Sequence, residues 1–295
     1  MSEKKSKLKT VFGAIATVVV GLACLLYVLM GGTLPSDGGE DKADPAGLVI
    51  RFLDVGQGDG ILISCGGENM LIDAGIRDVK DYVINSVKAV GKLKIAVATH
   101  PHSDHIGAMA EVIRDCPPEI FIMPDKEHTS ASFRKMVEAA EAVGADMQIG
   151  YEGLKYTLGE ADITILSPEK DKYYESVNDY SIVILLEYKG FRALFTGDAE
   201  AETESVFAQM TGGKVDLFKA GHHGGSSSNT EALMSVITPS VAVVTCGYEN
   251  DYGHPHRETV EIFQKYGVKT YRTDLNGAVT VTVDSGGNYY VETEK

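Results

Sequence analysis

The sequence predicts an α/β domain of two sheets flanked by helices, preceded by one long apolar segment. Three observations predict it: short strand-like runs split by Gly-rich turns come first, apolar runs then alternate with amphipathic helical stretches, and no internal repeat interrupts the series. With 295 residues, 44% of them hydrophobic, the chain can bury a sizeable core. That composition excludes a disordered chain, a collagen-like repeat and a polytopic membrane protein. Four cysteines in such a length exclude a dense disulfide framework, and Cys65 and Cys246, at the ends of apolar runs, read as buried thiols.

The elements follow in order. Residues 1–10 form a basic tail with Lys4, Lys5, Lys7 and Lys9. The apolar run 11–30 comes next, and at 1.5 Å per residue it would cover a bilayer core of roughly 30 Å. Lysines on its N-terminal side predict a cytoplasmic tail, so the remainder is expected outside the cell on a single-pass anchor. No A-x-A site follows the run, and Gly21 stands where a lipoprotein signal ending at Cys24 wants an aliphatic residue, so an uncleaved signal anchor is expected. Residues 31–47, GGTLPSDGGEDKADPAG, read as a flexible acidic stalk, and 48–295 as the globular domain.

Within that domain LVIRFLD (48–54), ILISC (61–65) and NMLID (69–73) read as strands. DVKDYVINSVKAVG (78–91) has helical spacing, and KIAVATH (94–100) is a buried strand ending in histidine. EIFIM, ITIL, SIVILLEY, RALFTGD, VDLFKAG and VAVVTCG continue the series, with helices between several of them. The chemically distinctive residues fall just after strand C-termini, where open α/β sheets place their sites.

The strongest pattern is His100-Pro-His102-Ser-Asp104-His105, three imidazoles and a carboxylate within six residues. One loop of this kind can serve two metal ions, and imidazole with carboxylate suits zinc, manganese or iron. Apart from His128, every remaining histidine also lies in a glycine-flanked loop, at His222-His223-Gly and Gly253-His254-Pro-His256. Asp198 ends RALFTGD and places a carboxylate at the same edge, able to bridge two metals. Asp73, ending NMLID, is expected behind the ligands as the acceptor that fixes a histidine tautomer.

These residues resemble the metallo-β-lactamase fold, and more closely the hydrolase domain of the competence DNA-uptake protein ComEC and its stand-alone relatives. The carriers are Asp54-Val-Gly-Gln-Gly-Asp59, Leu71-Ile-Asp-Ala-Gly75, Thr99-His-Pro-His-Ser-Asp-His-Ile-Gly107, Thr196-Gly-Asp198, Lys219-Ala-Gly-His-His-Gly224, Tyr252-Gly-His-Pro-His256 and Tyr271-Arg-Thr-Asp-Leu-Asn-Gly277. The resemblance implies an αββα sandwich with a site for two divalent ions, zinc or manganese, at one edge of the sheets. Carried over by position, His100 and His102 hold one metal, Asp104 and His105 the other, and Asp198 bridges. One of His222 and His223 completes the second site while the other faces substrate as phosphate ligand or proton donor. Neighbours on an extended backbone point oppositely, which leaves the choice between them open. Asp59 joins Asp73 behind the ligands. Many members of the fold supply a third histidine to the first metal; here no histidine lies between His128 and His222, and Asn178-Asp-Tyr-Ser181 occupies that stretch. Asn178, Ser181 or water is expected to fill in, beside the substrate, and the first metal to bind more weakly.

The expected chemistry is hydrolysis by a hydroxide bridging two metals, with Asp104 orienting it. His254 and His256 are placed to grip a non-bridging phosphate oxygen, or alternatively to cap the helix RETVEIFQKYG. An extracellular phosphodiesterase or nuclease is the favoured function. A phosphorylcholine esterase or other small-ester hydrolase is the runner-up, and a non-catalytic sensor of the same fold is the reading from a different class. Charge weighs against broad nucleic-acid wrapping: beyond residue 30 the chain has 23 basic against 41 acidic residues, a net −18. Lys219, Arg257 and Arg272 are expected to form a small positive patch at the site.

Overall fold

The computed structural model describes residues 47–295. The predicted tail, the anchor at 11–30 and all but the last residue of the stalk lie outside the described residues. Among the described residues no helix is long and apolar enough to cross a membrane.

Alternation in LVIRF sets the first strand: Leu48, Ile50 and Phe52 are fully buried, whereas Val49 and Arg51 are only partly covered. Six strands begin the domain: β1 (Leu48–Phe52), β2 (Ile61–Cys65), β3 (Glu68–Ile72), β4 (Leu93–Val97), β5 (Ile120–Met123) and β6 (Asp146–Ile149). Seven follow as β7 (Lys155–Leu158), β8 (Ala161–Ser167), β9 (Val183–Tyr188), β10 (Phe191–Phe195), β11 (Leu217–Lys219), β12 (Val241–Val244) and β13 (Lys269–Arg272). The last two, β14 (Val279–Val283) and β15 (Tyr289–Thr293), return to the beginning, β14 pairing antiparallel with β1. The sheets run β15-β14-β1-β2-β3-β4-β5-β6 and β13-β12-β11-β10-β9-β8-β7.

Both sheets change from antiparallel to parallel partway across. From β3 to β6, and again from β10 to β13, neighbours are parallel and each crossover carries a helix. Ser130 starts one of these, Ala131–Val143, by accepting the Phe133 N–H at 3.2 Å, and Gly144 ends it at φ 72. Between the sheets Ile50, Phe52, Ile63, Ile184, Leu186 and Phe195 pack as one core, with the Phe52 and Phe195 rings 6.2 Å apart. Helices cover the outer faces through Val83, Val87, Met109 and Met136 on one side and Phe207, Leu233, Met234 and Phe263 on the other. The result is the αββα layering expected, with the C-terminal ends of β3, β4, β10, β11 and β12 delivering their loops to one place.

Cys65 and Cys246 are buried free thiols and Cys116 a partly buried one, and burial pushes the Cys246 thiol up to about 12.

Candidate metal centre

The chain leaves β4 into Thr99-His100 and turns at once into the short helix Ser103–Ile106, which folds the His-x-His-x-Asp-His segment onto itself. His100 Nε2 and His102 Nδ1 lie 3.0 Å apart. On the other side His105 Nε2 sits 3.3 Å from His223 Nε2, and Asp104 Oδ2 is 3.3 Å from the same His223 nitrogen. Asp198, following β10, lies among four imidazoles. Its Oδ2 is 3.2 Å from His105 Nε2, 3.5 Å from His223 Nε2, 3.7 Å from His222 Nε2 and 3.8 Å from His100 Nε2.

His222 and His223 both face this carboxylate because their backbone is not extended. Their φ/ψ values are 49/47 and 54/25, consecutive left-handed residues of a kind that costs energy and concentrates at functional sites. The two imidazoles therefore point into one centre. His223 is buried among Asp104, His105 and Asp198, whereas His222 lies at the pocket wall with 27% of its side chain exposed.

Behind the ligands runs a layer of anchors. His105 Nδ1–H donates to Asp73 Oδ2 at 2.8 Å, and His223 Nδ1–H to the Thr245 carbonyl at 2.8 Å, so both rings turn Nε2 toward Asp198. Asp73, at φ 56 just past β3, also accepts the Thr99 N–H and hydroxyl. Asp59, His105, Asp198 and His223 offer ligand atoms within 4.8 Å of one another. Asp59, however, approaches the Nδ1 sides of His223 and His105, at 3.4 and 3.8 Å, and is taken by Lys219 Nζ at 2.6 Å and the Thr245 hydroxyl. It belongs behind the ligands with Asp73. Gly58 lets this loop approach, since a Cβ there would stand 2.2 Å from the Asp104 carbonyl oxygen.

Burial penalises every charge here, yet the mutual arrangement decides the protonation. Asp198 is held well below the usual carboxylate range by His105 and His223, which overcome its desolvation, and Asp104 and Asp59 are lowered likewise, Asp59 chiefly by Lys219. His223 is raised to about 9, against the pull of burial, by Asp198, Asp104 and Asp59, and His105 is raised as well, by Asp198, Asp73 and Asp104. His100 and His102 are lowered, first by burial and then by His105.

The residues present fit a pair of divalent ions. Asp198 Oδ1 is a buried anionic oxygen with no hydrogen-bond partner, and the imidazoles around Oδ2 present nitrogens rather than thiolates. His105, His223, Asp104 and Asp198 would hold one ion; His100, His102 and Asp198 would hold the other, with His222 within reach.

The pocket over this cluster has a volume of about 300 Å³ and is lined by Gln57, His102, Ser103, Asp104, Asp198, His222, His223, Tyr252 and His254. His254 is pushed down to about 4 by burial and by His223, His222 and His256, and is neutral at physiological pH. The Gln57 amide donates to its Nδ1 at 3.4 Å while accepting the Gly247 N–H, which leaves the ring proton on Nε2. Tyr252, 66% exposed, stacks on His254 with centroids 5.7 Å apart. Gln57, Thr99, Thr245 and Tyr252 carry no chemical role in the sequence reading. Gln57 lies inside the Asp54–Asp59 motif, which was the available signal.

Four expectations need correction. His256 does not line the pocket: its Nδ1 accepts the Ser226 N–H and its Nε2–H donates to the Tyr252 carbonyl, each at 3.0 Å, so both nitrogens hold backbone just before the helix Arg257–Lys265. Ser181 is fully buried; its hydroxyl accepts the Asp198 N–H and faces the Nδ1 side of His100, away from substrate. Asn178 is 7% exposed and does not line the pocket; its amide donates to Glu200 at 3.2 Å. Lys219 forms no positive patch, since it is completely buried against Asp59 and the Gly197 carbonyl, while Arg272 pairs with Asp274 and Arg257 with Glu261.

Set against known proteins, residues 53–248 match the family model described as the metallo-beta-lactamase superfamily. "ComE operon protein 3" of Bacillus subtilis (strain 168) is 25% identical over 254 residues, covering 78% of this chain and 32% of its own. "Recombination protein 2" of Haemophilus influenzae is 30% identical over 241 residues, covering 79% of this chain and 28% of its own. The chain thus spans less than a third of the length of these curated relatives. Among solved structures, the metallo-beta-lactamase fold protein YhfI of Bacillus subtilis superposes with a TM-score of 0.53 at 11% identity, over 83% of this chain and 99% of that one, a likeness of fold alone.

Proposed function

The chain belongs to the metallo-β-lactamase superfamily and resembles its ComEC-like branch, and from this we propose that it is a metal-dependent phosphodiesterase acting on nucleic acid, held at the cell surface by residues 11–30. The observation that carries the chemistry is Asp198, a buried carboxylate with one orphaned oxygen and imidazole nitrogens on both sides of the other. A relative named for recombination supports a DNA-related substrate. When bound, two divalent ions supply a nucleophile from water at neutral pH and neutralise charge on the phosphoryl oxygens.

The protein's own groups do the rest. Asp104, whose side chain is 29% exposed at the pocket floor, orients the attacking water through its ionised carboxylate. His254 donates a hydrogen bond from Nε2–H to a non-bridging oxygen as charge builds there. Among the described residues neither lysine nor arginine lines the pocket, so of its side chains the neutral His254 is the one placed to donate to the phosphate anion.

Turnover of bis-p-nitrophenyl phosphate, a single-stranded oligonucleotide and a phosphorylcholine ester should be compared with manganese and with zinc. The oligonucleotide is expected to be cleaved, and the reaction to stop on chelation. Preferential turnover of the phosphorylcholine ester would replace this reading with the small-ester one. The anchor is tested by protease treatment of intact cells, which should release a soluble fragment beginning near residues 31–47; protection until lysis would overturn the topology.

A further inference from the structure

Beside the metal centre lies a second, larger pocket of about 540 Å³ whose walls include Tyr151, Tyr173 and Tyr180. Two connections tie it to the centre. The turn Asn178–Tyr180 runs directly into Ser181, which packs behind His100. The loop after β5 carries Lys126, with Nζ 4.5 Å over the Tyr180 ring, and two residues later His128, whose ring lies 6.4 Å from that of His102.

Its chemistry is that of flat rings with lysine ammonium groups beside them. Tyr173 is 76% exposed, while its neighbour Tyr174 is buried, its ring against Tyr180 and its hydroxyl accepting the Glu169 N–H. Folding thus covers one ring of the pair and leaves the other bare. Lys126 also lies 5.7 Å from the Tyr173 centroid, and Lys170 Nζ lies 4.8 Å over Tyr151. Among the described residues neither lysine meets a carboxylate at ion-pair distance, whereas Lys172 on the same loop pairs with Glu169. Lysine ammonium groups already lie over the Tyr180 and Tyr151 rings and, farther off, over Tyr173, so a quaternary ammonium would meet like charge at each. A ligand bringing both a flat ring and an anion satisfies the open tyrosine and the two lysines together.

We propose that this pocket is a nucleotide subsite, in which a base flanking the scissile phosphodiester of a single strand stacks on Tyr173 and its phosphate meets Lys126 and Lys170. The proposal rests on the phosphodiesterase reading for its substrate. Asp125 and Asp171 on the same wall keep the patch near neutral, so the binding draws on stacking more than on phosphate neutralisation.

The chain contains no tryptophan, so Tyr173→Trp installs a single indole reporter. Titrating that full-chain variant with a short single-stranded oligonucleotide in excess chelator, where nothing is hydrolysed, should quench its fluorescence saturably. Adding Lys126→Ala should weaken the binding. In the metal-loaded chain, Tyr173→Ala should raise KM for the oligonucleotide roughly 5- to 100-fold, the range of one base–aromatic stack, and leave bis-p-nitrophenyl phosphate turnover within about twofold. Absence of quenching, quenching by phosphorylcholine but not by the oligonucleotide, or equal slowing of both substrates overturns the subsite. Quenching by the oligonucleotide in a chain that hydrolyses no phosphodiester supports the pocket and removes the proposed function instead.

Discussion

On one side of Asp198, His105 and His223 each give their Nδ1 proton to a strong buried acceptor, the Asp73 carboxylate and the Thr245 carbonyl. On the other side, among the described residues, His100 Nδ1 finds only the Thr99 and Ser181 hydroxyls, at 3.2 and 3.4 Å, and His102 and His222 are partly exposed at the pocket. The two halves share the Asp198 carboxylate and differ in what stands behind the rings. A carboxylate behind imidazole raises its basicity and fixes its orientation, so the His105–His223 half is built to bind tightly. The His100–His102 half is held more loosely. A missing third histidine is thus only part of the asymmetry; the backing is unequal as well.

The largest effect belongs to the group common to both halves. Asp198→Ala should lower hydrolysis by at least about 10³-fold and release metal from both sides, read by turnover and elemental analysis. Retention of both ions with full activity would dissolve the comparison. Next, Asp73→Asn should weaken the tighter ion about 10- to 100-fold in chelator competition, and Ser181→Ala should weaken the other ion by less. The opposite ranking would break the argument from backing groups. In the unaltered chain, mild chelation should leave about one ion per chain, and loss of both at the same chelator concentration would equalise the halves.

The comparison also has a pH signature. Without metal, His223 holds its second proton up to about pH 9, so metal uptake by its half must displace that proton and should strengthen as pH rises from 7 toward 9. The same raised value stabilises the metal-free fold: the contribution is complete below the ordinary pKa of 6.5 and is lost as pH rises through about 9. The melting temperature of metal-stripped protein should therefore fall across that window, and that of loaded protein should not. A flat metal-free profile would mean that His223 is not protonated among these carboxylates.

The smallest effect is expected at His256. His256→Ala should keep its metal and its turnover within about threefold, and cost about 1 kcal/mol of stability through its two backbone hydrogen bonds. Loss of an ion would make it a ligand after all.

Much of this centre could be read before folding, because metal chemistry limits its ligands to a few residue types and strand ends collect them at one edge. His100, His102, Asp104, His105 and Asp198, and the strands that precede them, are visible as motifs and apolar runs. The hairpin of β14 and β15 escaped that reading although VTVTV alternates by residue type, and β6 and β7 escaped because DMQI and KYTL are short and polar. Three matters were decided only in three dimensions. Left-handed φ at His222 and His223 turns both rings inward, and nothing in a histidine pair announces that conformation. Lys219 reads as a surface charge and becomes fully buried, because Asp59, distant in sequence, supplies the counter-charge that burial requires. His256 has the type and spacing of a site residue, and its role passed to the backbone because Ser226 and Tyr252 reached its nitrogens first. Residue type is local information and sets which chemistry is available; partners are non-local, and they decide which side chains are left free to perform it.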